Sequence, residues 1–125
     1  MASYSFGKSV DGAFDQVVEQ VSAALMAEGF GVLTDIDVAA TLKKKLDRDL
    51  PPYRILGACN PPLASQAIDA DPGVGALMPC NVVVREDENA TVQVEFLDPN
   101  TYNVEALKPI MDEARARLQR VMESL

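Results

Sequence analysis

Histidine and tryptophan are absent from this chain of 125 residues, and cysteine occurs twice. Histidine is the usual general acid–base near neutral pH and the commonest metal ligand. Its absence excludes Ser-His-Asp and Cys-His catalysis, HExxH metalloprotease chemistry and most catalytic zinc sites. Two cysteines are too few for an all-cysteine zinc or iron–sulfur site within one chain. No cofactor motif is read either: Gly73-Val74-Gly75 has too few glycines for a phosphate loop and reads as a turn. An enzyme built on this sequence would depend on carboxylates, thiols, lysine or a bound cofactor.

Basic residues are scarce, with 11 Lys and Arg against 19 Asp and Glu and a formal charge of −8. A protein that binds a nucleic-acid backbone neutralises phosphates with clustered Lys and Arg. The one basic cluster, Lys43-Lys44-Lys45 with Arg48, is interrupted by Asp47 and Asp49 and reads as a solvated helix face. With no tryptophan and three tyrosines there is also little material for base stacking. Neither nucleic acid nor an anionic membrane surface is an expected partner. No apolar run approaches the roughly 18 residues of a membrane span. The start, M-A-S-Y-S-F-G, lacks a basic region followed by an apolar one, so no signal peptide is expected and cytoplasmic location is the default. What is present is 48% hydrophobic and 24% charged residues, the balance of a folded protein with one domain over residues 1–125.

Periodicity supplies the elements. Tyr4 to Val10 reads as a strand. Asp11 is placed to cap a helix in which Phe14, Val17, Val18, Val21 and Leu25 recur at helical spacing, and Gly29 stops it. Gly31 to Val38 alternates, with Val32, Thr34, Ile36 and Val38 on one face. Asp37 caps a short helix to Leu46, with Leu42 and Leu46 as its expected anchors. After Leu50-Pro51-Pro52, Tyr53, Ile55, Gly57 and Cys59 share one strand face, and Arg54, Leu56 and Ala58 the other. Asn60 then offers a cap and Pro61 a first helical residue, for a helix to about Asp69 burying Leu63, Ala64, Ala67 and Ile68. Asp71-Pro72-Gly73 is a turn. Cys80 to Arg85 is a strand suited to the sheet's middle, and Glu86 to Asn89 turns into the strand Thr91–Leu97, with Val92, Val94 and Phe96 inward. From about Asn103 to Val121, apolar residues recur at spacings of three and four; Pro109 makes the helix start late or distorts its first turn, and a distorted first turn is the expectation. The order is β-α-β-α-β-α-β-β-α, which implies an α+β fold with a largely antiparallel sheet covered by helices on one face.

Two segments carry a family likeness: G-A-C-N-P-P-L-A from Gly57 and G-A-L-M-P-C-N-V-V-V from Gly75, supported by G-F-G-V-L-T-D-I-D-V from Gly29. The chain resembles the small bacterial and archaeal domain of unknown function 302 family over essentially its whole length. That resemblance implies a β-α-β(4)-α core similar to the TATA-box-binding-protein fold, with the helices at 38–46 and 61–69 inserted between strands, and a homodimer. Its motif positions here are Gly57, Cys59, Asn60, Pro61, Leu77, Pro79 and Cys80. The position after the second cysteine, often Arg in relatives, is Asn81 here, which weakens an anion site at that point. A shared fold assigns no activity.

Function is therefore read from candidate sites. The first reading is a small-ligand-binding or homodimeric interaction module, with Cys59, Asn60, Cys80, Asn81 and Tyr53 as candidate ligand-binding residues. Leu33, Leu56, Ala58, Val83 and Leu97 are expected on the uncovered sheet face, where they would support a dimer contact or a pocket. The second reading is a thiol-dependent redox or nucleophilic enzyme using Cys59 and Cys80, because Cys59 precedes a helix start, which can lower a thiol's pKa. A third is a soft-metal protein holding Cu(I) through Cys59, Cys80 and Met78. Paired acid chemistry at Asp35 and Asp37 is weaker, since Asp37 has a capping duty. Tyr53 and Tyr102 offer hydroxyls for a pocket. The two cysteines are expected reduced, close and unbonded at a pocket rim, with Asn60 and Asn81 bridging neighbouring loops.

Overall fold

A computed structural model describes residues 3–125; Met1 and Ala2, the first residues of the stretch scanned for a leader, lie outside it. Among the described residues five strands form one sheet: β1 (Ser5–Val10), β2 (Gly31–Asp37), β3 (Tyr53–Cys59), β4 (Cys80–Glu86) and β5 (Val92–Leu97). Their spatial order is β1-β5-β4-β3-β2, and every neighbouring pair is antiparallel. The β-branched strand β4 lies at the centre, as its composition suggests. Four helices, α1 (Phe14–Ala27), α2 (Val38–Leu46), α3 (Pro61–Ala70) and α4 (Lys108–Glu123), join or follow the strands. The expected α+β class, antiparallel sheet and one-sided helical layer are all present.

Register explains the core. Leu56 pairs with Val82, Val82 with Phe96, and Phe96 with Phe6, so one apolar row crosses four strands on one face. Val84 and Val94 form the adjacent row. Against these rows α1 lays Val17, Val18, Val21 and Leu25, and α4 lays Leu118 and Val121, all buried. Removing so much apolar side chain from water is the main favourable term for this fold. At the end of α1 Gly29 takes a left-handed conformation, φ +85°. Phe30 and Gly29 then donate backbone N–H groups to the Leu25 and Met26 carbonyls, a Schellman closure that turns Phe30 into the core.

Several expectations change. Asp11 does not cap α1; Ala13 holds that position with no side-chain hydrogen bond. A β-bulge between Val32 and Thr34 breaks the alternation of β2. Val32 packs against the core, whereas Thr34 and Ile36 turn to the open face and Leu33 is 68% exposed. Asp37 does cap α2, accepting from the Ala40 N–H at 2.9 Å. Leu42, however, is only half-buried and Leu46 is 68% exposed, because among the described residues no neighbouring element covers that side of α2. Leu56 and Ala58 belong to the core face; the other face of β3 is just as apolar, so pattern alone could not choose between them. In α3, Ala67 is buried but Ile68 is 46% exposed. Residues Pro72–Leu77 form a 3-10 helix instead of a simple turn. Finally, α4 starts at Lys108 with Pro109 in its first turn, where the missing N–H is harmless, and a separate 3-10 turn at Glu105–Leu107 precedes it.

A second, smaller apolar cluster stands apart from the main core. Ala67, Val74 and Leu107 are its buried centre, and Leu77, Met78, Ile110 and Met111 pack around it. It joins α3 and the 3-10 helix to α4.

Candidate functional site

The ends of β3 and β4 meet the start of α3 at one place. Ala58 pairs with Cys80 across the ladder, so Cys59 and Cys80 sit on adjacent strands, one residue out of register. Strand alternation sends Cys80 with Ala58 toward the helices and Cys59 toward the other side of β3. Both thiols are free. They border one cleft, walled by α3, the 3-10 helix and α4, and open at one side. The cleft has about 60 Å³ of room and no charged residue in its lining.

Asn60 is the one buried polar residue among those described, at 5% exposure. Its Oδ1 accepts from the Leu63 N–H at 3.2 Å, which caps α3, and Pro61 supplies the N–H-free first position. Its Nδ2 lies 3.5 Å from the Glu28 carbonyl, to which Arg117 Nη1 also donates at 3.3 Å. Asn60 therefore ties the cleft's helix to the end of α1. A Cβ on Gly29 would stand 3.0 Å from that amide, so Gly29 serves both the turn and the close approach.

Burial pushes the Cys80 thiol up to about 11, and the neighbouring Cys59 thiol adds to the shift. At neutral pH Cys80 is a protonated, weakly nucleophilic group that acts as a small apolar side chain. Among the described residues, no group of three or more His, Cys, Asp or Glu side chains is arranged to hold a metal ion.

The remaining candidates divide. Met78, beside the cis Met78–Pro79 bond, and Tyr102 border the same cleft as the cysteines. Tyr53 does not: it lies at the far end of β3, in a second, more open cleft with Phe14, Asp37 and Arg54. Asn81 is exposed on β4 opposite Gly57 and bridges no loop to the cysteine cleft. Asp35 is ion-paired with Arg54, whose hydrogen bonds hold its carboxyl below the ordinary value. With Asp37 occupied as a cap, the two carboxylates have separate structural duties. Sequence reasoning missed Ile110, Met111 and Ala114 as cleft residues. They belong to the strong helical periodicity of α4, which signals burial without saying against what.

The uncovered sheet face has its own character. Ile36, Ile55 and Val83 form a row across β2, β3 and β4. Its strands contribute Arg85 and Glu95, paired with each other at 2.6 Å, and at the rim Asp87 accepts from the Gln93 side-chain amide.

No curated protein matches this chain. A solved structure does: the crystal structure of an uncharacterized conserved DUF302 protein from Bacillus stearothermophilus is similar, with a TM-score of 0.88 and 29% identity over 98% of each chain. The model of the family described as domain of unknown function DUF302 matches residues 6–125, a span that contains every residue lining the cysteine cleft. The chain belongs to the DUF302 family.

Proposed function

We propose that this protein is a small-ligand-binding module of one domain, working as a cytoplasmic homodimer. One observation carries the ligand reading: Cys59, Asn60, Met78 and Cys80, separated by up to 21 positions, border a single apolar cleft. Pockets that take small molecules are concave and mostly apolar, with a few polar groups that orient the guest. Asn60 has its side chain committed to the helix cap, so orientation falls to the Cys80 thiol and the Tyr102 hydroxyl, with Cys59 at the rim. The thiol-enzyme reading is weaker because Cys80 holds its proton at neutral pH, and Cu(I) binding would require removing it.

The dimer reading rests on a different observation. In a chain with 24% charged residues, the strands of the open sheet face carry one ion pair that neutralises itself beside the row Ile36–Ile55–Val83, with Asp87 at the rim. Two copies of a protein with net charge −8 repel least where that face meets its like. The succession β1-α1-β2-β3-β4-β5-α4, with α2 and α3 between strands, supports a TATA-box-binding-protein-like core. Such a core leaves this face for pairing, and the acidic charge argues against nucleic acid there.

Native mass spectrometry of protein purified without added metal tests both readings. A dimer mass, and a retained mass that disappears on unfolding, are expected. A monomer at micromolar concentration removes the dimer reading. A bare chain, with no thermal shift from a panel of compact apolar compounds, removes the ligand reading.

A further inference from the structure

The cleft coincides with the seam between the two apolar clusters. Phe30, Ala58 and Cys80 belong to the main core or pack on it, whereas Ala67, Val74 and Met111 belong to the smaller one. The segment forming the outer wall, α3 and the 3-10 helix, packs chiefly on itself, on α4 and on the turn before α4; its principal contacts include no strand. Its buried apolar anchors are Ala67 and Val74 alone. A segment held by so few buried contacts opens at lower free energy than the main core.

At about 60 Å³ the resting cleft is small. Apolar cavities that hold benzene measure about 150 Å³. Met78 and Met111 line it with unbranched thioethers, which re-pack around irregular guests at low cost. The lining carries no charged side chain, so nothing in it would offset the desolvation of a charged guest.

We infer that Pro61–Leu77 is a lid over an expandable apolar cleft, and that the ligand is a compact, uncharged, apolar molecule seated between the two clusters when the lid swings outward. This inference rests on the ligand-binding reading above and adds its ligand class and its route of access.

Amide NMR and hydrogen exchange on the full chain test it, with benzene, benzoate and benzylamine as probes. In the free protein, α3 amides should exchange at least about tenfold faster than those in the middle of α1 and α4. Benzene should give saturable shifts at Ala67, Met111 and Ala114 and slow the α3 amides by about tenfold or more, while benzoate and benzylamine do neither. Ala114→Leu fills the cleft and should abolish the shifts; if that variant fails to fold, Ala64→Leu on the half-buried side of α3 provides the same block. Saturable shifts with α3 exchanging no faster than α1 and α4 would overturn the lid and leave ligand binding standing. Fast α3 exchange with no saturable shift from benzene would overturn the ligand class, while the ligand-binding reading itself stands or falls on the native mass and thermal-shift measurements. Equal binding of the charged probes, or benzene binding unchanged in a folded filled variant, would overturn the site as assigned.

Discussion

Replacing Asn60 by alanine removes two interactions that the structure assigns to one side chain. The cap bond from the Leu63 N–H, 3.2 Å long, is the stronger. Losing an N-cap costs about 1 kcal/mol, within a range of roughly 0.5–2. The contact to the Glu28 carbonyl, at 3.5 Å, is at the limit of a hydrogen bond and adds no more than about 0.5 kcal/mol. The Leu63 N–H also loses its partner in a half-buried place, so the total should fall at about 1–2 kcal/mol. With an unfolding entropy of about 2.1 cal/mol/K per residue, 125 residues give about 0.26 kcal/mol/K, and Tm drops by about 4–8 °C. Differential scanning calorimetry and urea unfolding with unchanged m-value measure this directly. Asn60→Ser keeps a capping oxygen and should recover more than half of the loss. Equal stabilities for the Ala and Ser variants would refute the cap as the source. Asn81→Ala is the matched contrast: Asn81 is exposed, and the change should stay within about 0.5 kcal/mol.

Gly57→Ala would bring a Cβ to 2.1 Å from Thr34 Oγ1 and 2.8 Å from Pro79 Cγ. A loss of about 1–3 kcal/mol is expected from such overpacking, partly recovered when Thr34→Ala is added; full stability of the single variant in urea would contradict the packing. With Cys59 replaced by alanine, burial is the remaining cause of the Cys80 shift, and Cys80 should react with a disulfide reagent at pH 8 at least about tenfold more slowly in the native than in the unfolded protein. A thiol raised from 9.0 to about 11 favours the fold fully below pH 9, and that contribution is lost as pH rises toward 11; Tm should decline over that interval and less so in a Cys80→Ala variant. Val83→Glu, on the neutral sheet face, should halve the mass seen by light scattering while leaving the helical circular dichroism signal unchanged, and an unchanged mass would place any dimer contact elsewhere.

The legible parts of this sequence were those with a local cause. Gly29 after an amphipathic helix, Asn60 before Pro61, and Val92, Val94 and Phe96 alternating with polar residues each fix an element without reference to a neighbour. Parts settled by packing partners were not. Leu46 looks like an anchor because it recurs at helical spacing, yet it stands largely in solvent. Leu56 and Ile55 are interchangeable to a pattern, and only the row through Val82 and Phe96 decides which one is buried. The bulge at Leu33 inserts one residue into an otherwise regular alternation, and no residue type announces it. At the site, the motif cysteines and Asn60 were recoverable from strand ends and capping chemistry. Tyr53 and Asn81 were attached to them by proximity in sequence, which the antiparallel register then undid. The α4 side of the cleft depends on a tertiary contact and left no local mark.

Pairing of β1 with β5 has a consequence for how the chain is made. Ser9 and Gln93, hydrogen-bonded across these two strands, are 84 positions apart. Strands β2 to β5 meet their partners soon after they emerge, whereas β1 emerges first and must wait for the last strand. At roughly 5–20 residues per second, a separation of 84 residues is a delay of about 4–17 s. Throughout that interval Phe6 and Val10 have no sheet to cover them, and the β5 edge they will occupy does not yet exist. Closure of this long loop is thus the natural last step of folding and the slowest to search for. The nascent domain is most exposed to aggregation or to chaperone capture at β1.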